Sequence, residues 1–167
     1  MERTRIKTIA VLFHPRRSSS GAAGVGVLLL FTAALTSFLL VCEFLYAFSA
    51  RQSIDDELSR AANTAVDLAM SDAHRQDRLL ELDTAIAYER FYEYLYNDMR
   101  LSPRLEARSQ NNGIIYSIDI DGLTITGSPP SIRFTAIVTL QPAFLSRIAP
   151  VPLRFSIRCS STNRKID

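Results

Sequence analysis

From Gly21 to Cys42 the chain runs 22 residues without a charge, and after Glu43 the apolar character resumes through Phe44, Leu45, Tyr46, Ala47 and Phe48. At about 1.5 Å of rise per residue, a helix of that uncharged length spans roughly 33 Å, enough to cross a hydrocarbon core of about 30 Å. The pattern predicts one transmembrane helix over residues 21–48. A cleaved signal peptide is the main competing reading, and Ala47-Phe48-Ser49 would serve as its cleavage site. Its apolar region, however, spans only about 7–15 residues, and this run is much longer. Leu39-Leu40-Val41-Cys42 has the outline of a lipobox, but Val41 is too bulky for the small residue expected before the cysteine. Glu43 falls near the far end of the span, where an interfacial carboxylate costs little and is expected to need no partner.

Beyond the span the helical pattern continues. Neither Pro nor Gly occurs between Ala50 and Arg100, and Ile54, Leu58, Ala61, Ala65 and Leu68 recur at spacings of four and three residues, which makes an apolar helical stripe. Ala61 and Ala65 keep that stripe low, so a neighbouring helix or sheet, in this chain or another, can approach closely. Residues 71–77 read as a kink or turn. A second helix is expected over 78–99, with Leu79, Leu82, Ile86, Phe91, Leu95 and Met99 facing the core and Tyr88, Tyr92, Tyr94 and Tyr96 widening that face. After Pro103 the period changes. Ile114, Tyr116, Ile118 and Ile120 alternate with polar residues, Asp121-Gly122 signals a hairpin, and 123–126 supply its return strand. A third strand is expected over 132–140, a proline-containing connection over 141–152 and a last strand over 153–159. The fold class is therefore α+β, with a membrane helix continuing into a helical region packed on a small antiparallel sheet. The expected divisions are a basic arm (1–20), the span (21–48), outer helices (49–100), the sheet (101–160) and a tail (161–167).

Charge sets the expected orientation. Residues 1–20 carry five basic residues against Glu2, whereas Asp55, Asp56 and Glu57 follow the span. Basic flanks stay on the cytoplasmic side, so the N-terminus is expected inside and the remaining domain outside. The apolar residues Ile6, Ile9, Ala10 and Phe13 in the arm would suit the inner membrane surface, and Arg16-Arg17 lacks the rest of a twin-arginine export motif. Residues 51–98 hold five arginines against eleven carboxylates, and residues 99–167 hold nine basic residues against four acidic ones. Such asymmetry suits pairing of the acidic helices of one copy with Arg154 and Arg158 of the next, although two ordinary solvated faces would look the same.

Little in the chain suggests catalysis. It has two histidines, and the grouping of His74 with Asp72 and Asp77 reads as a polar turn rather than a metal site. It contains no glycine-rich phosphate loop and no Gly-x-Ser-x-Gly elbow. Asp56 and Arg60 read as an ordinary helix pair. The tyrosine-rich helix is acidic, which disfavours nucleic acid. Cys42 in the span and Cys159 in the last strand cannot pair, so no disulfide framework is expected. The expectation is a non-enzyme without cofactor or metal.

Arg16-Arg17 followed by Gly21-Ala22-Ala23, the apolar run to Cys42-Glu43-Phe44, and the later Ala61-Ala62 resemble TadE-like proteins of tight-adherence (Flp) pilus systems, within the type IV pilin-like group. The late strands around Pro142 and Pro152-Leu153 are similar too, and the motif matching is densest over residues 16–66. The resemblance implies a pilin-like fold and a pseudopilin or minor role in pilus assembly. Its partners would be the lipid bilayer, secretion-system membrane proteins and pseudopilin-like subunits. It also implies a processing site at Gly21 or Gly24. The residues expected to make assembly contacts are Glu43, Ala61 and Ala65 of the alanine stripe, and, from the charge asymmetry, Arg154 and Arg158. The family's Glu at the fifth position after cleavage is missing, because Gly26 stands there when counting from Gly21. Little or no cleavage is therefore expected. A membrane-tethered binding or assembly module unrelated to filaments is the alternative.

Overall fold

A computed structural model describes residues 20–70, 82–146 and 150–162, with side chains from residue 24 onward. By contacts the chain divides after Phe38, and helix α1 (Ser20–Ala69) contributes to both parts. No proline falls between Pro15 and Pro103, so nothing removes a helical N–H over its 50 residues.

In the part ending at Phe38, every described side chain is exposed, from Val25 and Leu28 to Leu35 and Phe38. It belongs to a helix long and apolar enough to cross a membrane, and among the described residues it is the one such helix. Its hydroxyl groups suit that medium. Thr32 Oγ1 donates to the Leu28 carbonyl at 2.8 Å, Ser37 Oγ donates to the Ala33 carbonyl at 2.8 Å, and Thr36 donates to Thr32. Each polar side chain is thus satisfied within the helix, as a solvent without hydrogen bonds demands.

The part beginning at Leu39 holds the rest of α1, helix α2 (Thr84–Asn97) and four strands: β1 (Glu106–Arg108), β2 (Ile114–Thr126), β3 (Ser131–Leu140) and β4 (Leu153–Thr162). The strands form an antiparallel meander in the order β1-β2-β3-β4. Ile54, Leu58, Ala61, Ala62, Ala65 and Val66 of α1 share one buried cluster with Phe91 and Leu95 of α2 and with Ile132, Phe134, Ala136 and Val138 of β3. Phe91 and Phe134 meet edge to face, with centroids 4.9 Å apart. This geometry adds about 0.5–1.5 kcal/mol beyond burial. Asp83 caps α2, its carboxylate accepting from the N–H of Ala85 at 2.9 Å and of Ile86 at 3.2 Å. Tyr94 of α2 donates to Glu57 of α1 at 3.0 Å, tying the helices together above the core.

Four departures from the expected elements have local causes. Asp121-Gly122 does not turn a hairpin: β2 runs straight through it as one 13-residue strand. The register passes from Asp121↔Thr135 to Thr124↔Arg133, so Gly122 and Leu123 face Phe134 alone. Gly122 sits at φ 63°, and the left-handed conformation that would serve a tight turn here serves a β-bulge. The first strand of the sheet is the short β1, whose pairing with β2 closes over the 109–113 loop. Tyr88 and Tyr96 are exposed rather than part of the core face, as is Ile86. Tyr88, Tyr92 and Tyr96 instead stack along the outer side of α2 at 4.8 and 6.1 Å. Finally, β4 continues through Thr162 into the segment read as a tail, held by Ser161, which donates to Asn63 of α1 at 2.6 Å. The turn expected over 71–77 and the start of the second helix at 78 lie outside the described residues.

Candidate functional site

The polar feature best built into the domain lies where the apolar run of α1 ends. β3 finishes at Leu140, and Gln141 still donates to the Ile115 carbonyl at 2.8 Å. Pro142 follows, buried; it has no N–H and fixes its own φ. The next three residues, Ala143, Phe144 and Leu145, turn away from the sheet, leaving three consecutive N–H groups without a ladder partner. Backbone donors held away from water require acceptors. Glu43 supplies them: Oε1 accepts from Ala143 at 2.8 Å, and Oε2 accepts from Phe144 at 2.9 Å and from Leu145 at 3.1 Å. Consecutive N–H groups aimed at one point form an anion-binding concavity, and the anion here is the chain's own side chain, 100 residues away in sequence from the first donor.

Glu43 is 7% exposed, and the expectation that it needs no partner is overturned. An α1 residue at this position faces the β3–β4 connection, not open interface. Burying an ionised carboxylate is unfavourable unless hydrogen bonds to the charge offset it, and such charge-assisted bonds are roughly twice as strong as neutral ones. Both oxygens are engaged, so the arrangement acts as a latch joining the connection to α1. Beside it lies a cavity of about 370 Å³ between Leu40, Phe44 and Ala47 of α1 and Pro142, Leu145 and Val151 of the connection.

The other residues singled out from sequence are scattered. Ala61 and Ala65 are 0% exposed and belong to the domain core, so their small size serves packing within the domain. Arg154 and Arg158 are exposed on β4, in register with Thr139 and Thr135 of β3. Gly24 lies in α1 with nothing near its Cα hydrogens, and Gly21 lies in the same helix. Arg60 pairs with Glu57 at 3.3 Å, not with Asp56, and Glu57 also accepts from Tyr94. The His74 grouping lies outside the described residues. Cys159 is buried on the inner face of β4, and Cys42 is half-buried; both are free thiols. Burial pushes the Cys159 thiol upward, against a hydrogen bond with Ser59 that lowers it. Burial likewise raises Tyr92, with Tyr88 hydrogen-bonded beside it, up to about 12.

The partners of Glu43 escaped sequence reading, although a signal was present. The apolar stretch on either side of Glu43 offers no basic residue to pair with it, and a buried carboxylate without a cation needs backbone donors. The connection after Pro142 is a long segment whose N–H groups have no ladder to join. The chain matches no protein-family profile, no curated protein and no solved structure.

Proposed function

We propose that this protein is a single-pass, membrane-anchored TadE-like pseudopilin or minor component of pilus assembly or secretion. Its N-terminus lies in the cytoplasm and its α+β domain outside the membrane, and it works by helix packing and protein–protein contact. The observation that carries this reading is the unbroken α1. One helix presents an exposed apolar stretch and then, without a break, the Ile54-to-Val66 stripe on which a four-stranded antiparallel meander packs. That order of elements, an apolar helix followed by a helix-on-sheet domain, is the layout expected of a pilin-like subunit. The basic arm before α1, and Asp55, Asp56 and Glu57 beyond its apolar stretch, support the orientation. Gly26, standing where the family places a Glu, favours an unprocessed, minor role over that of a bulk filament subunit.

Deleting the gene in its source cell, and restoring it, tests the proposal. Surface filaments counted by electron microscopy should be lost or shortened on deletion and restored by the full chain. Filaments unchanged in number and length would refute the pilus role and leave a tethered module without filaments.

A further inference from the structure

Among the described residues of the β3–β4 connection, which Glu43 fastens at residues 143–145, two large apolar side chains are exposed. Phe144 is 54% exposed and Val151 is 68% exposed, on a connection whose backbone is fastened to α1 through three hydrogen bonds. Exposed apolar side chains beside a backbone fastened in this way mark an interaction surface. The same end of α1 exposes Leu40, Phe44 and Phe48. Fixed by Glu43, the connection therefore adds a second apolar element beside the last turns of the span.

We infer that the β3–β4 connection is an interfacial membrane contact, with Phe144 and Val151 seated among the acyl chains of the leaflet that faces the domain. Three observations favour lipid over a protein partner. Leu145 and Val151 of the connection line one cavity with Leu40 and Phe44, exposed apolar residues of α1. Residues 141–152 contain no carboxylate and one charge, Arg147, a composition tolerated against an anionic surface. The first charged residues beyond the apolar collar are basic on both elements: Arg51 on α1, lying over the Phe155 ring at 5.9 Å, and Arg154 on β4. Carboxylates begin a turn later, at Asp55. Apolar side chains followed by arginines match acyl chains followed by phosphates, where long basic side chains reach the headgroups. The domain would then be seated on the bilayer rather than projecting freely from it, with Glu43 fixing the depth of the seat.

The inference rests on the membrane-anchored reading of α1, and the test separates the two. In the full chain, carrying Cys42→Ala and reconstituted in phospholipid nanodiscs, an environment-sensitive fluorophore is attached in turn at Leu35→Cys, Phe144→Cys, Val151→Cys and Ser128→Cys. At 144 and 151 we expect loss of most emission to a spin label carried near the headgroup end of the acyl chains, with little quenching by aqueous iodide. At 128 the reverse is expected. Iodide quenching at 144 and 151 with lipid quenching at 35 would overturn the contact and leave the anchor. Iodide quenching at 35 as well would overturn the anchor itself. Shielding at 144 and 151 that disappears when one chain is placed in each nanodisc would assign the surface to a second copy, and would also overturn the inference.

Discussion

Replacing Glu43 by Gln keeps the size of the side chain but removes the charge and turns one of its two acceptors into a donor. Three N–H groups converge on the carboxylate at 2.8, 2.9 and 3.1 Å. An amide offers one oxygen to them, and its NH2 group must face at least one N–H donor. A hydrogen bond to a charged group contributes about 1.5–3 kcal/mol net. The amide oxygen that remains still accepts from part of the set, so not every bond is lost. The latch should therefore weaken by about 2–4 kcal/mol rather than by the sum of three bonds. At 1.4 kcal/mol per factor of ten, that is roughly thirtyfold to several hundredfold in the local opening equilibrium. Amide hydrogen exchange on the full chain in nanodiscs reads this directly. The amides of Ala143, Phe144 and Leu145 should lose protection by that factor, while Val138 and Ile157 in the β3–β4 ladder should not change. Glu43→Asp, one methylene shorter, should lose less. Equal protection at the three amides in wild type and Glu43→Gln would refute the latch.

Ala65→Leu inserts a large side chain into the core where α1 approaches the sheet and should destabilise the domain by about 1–3 kcal/mol, read by thermal unfolding; an unchanged melting temperature would contradict the core placement. Cys159 should resist a thiol reagent in the folded protein and react on denaturation, since its buried thiol is raised and holds little thiolate; rapid labelling of the native chain would contradict this. Tyr92, raised to about 12, favours the folded state fully below the unfolded tyrosine value of about 10 and loses that contribution as pH rises through its folded value. A tyrosinate absorbance titration should accordingly show a late phase that Tyr92→Phe removes, and titration of every tyrosine together near pH 10 would contradict it.

Periodicity made the helices and most of the sheet legible, because the Ile54-to-Ala65 stripe and the alternation in 132–140 are signals a single segment carries by itself. What stayed hidden depended on two segments at once. Asp121-Gly122 announces a positive φ, but whether that φ turns the chain or bulges it is decided by β3, which pairs on both sides of Gly122. Alanines at 61 and 65 announce a close approach without saying to what, and both lie in the buried core of the same chain. The tyrosines of α2 look like core by composition, yet Phe91 and Leu95 already occupy the inner face. Glu43 was visible as an anomaly in an apolar run. Its partners were not, because they are main-chain groups in the β3–β4 connection and main-chain donors have no signature in sequence.

If α1 spans a membrane with the α+β domain on the outer side, a cysteine added at residue 128 is open to reagents outside the cell, while the native Cys159 is buried. Ser128, exposed in the turn between β2 and β3, is replaced by Cys in a Cys42→Ala background and treated with a membrane-impermeant maleimide in intact cells. Labelling should be as complete as after lysis, while a matching Ser19→Cys, on the basic arm, should label only after lysis. Labelling of Ser128→Cys that appears only after lysis would contradict the account.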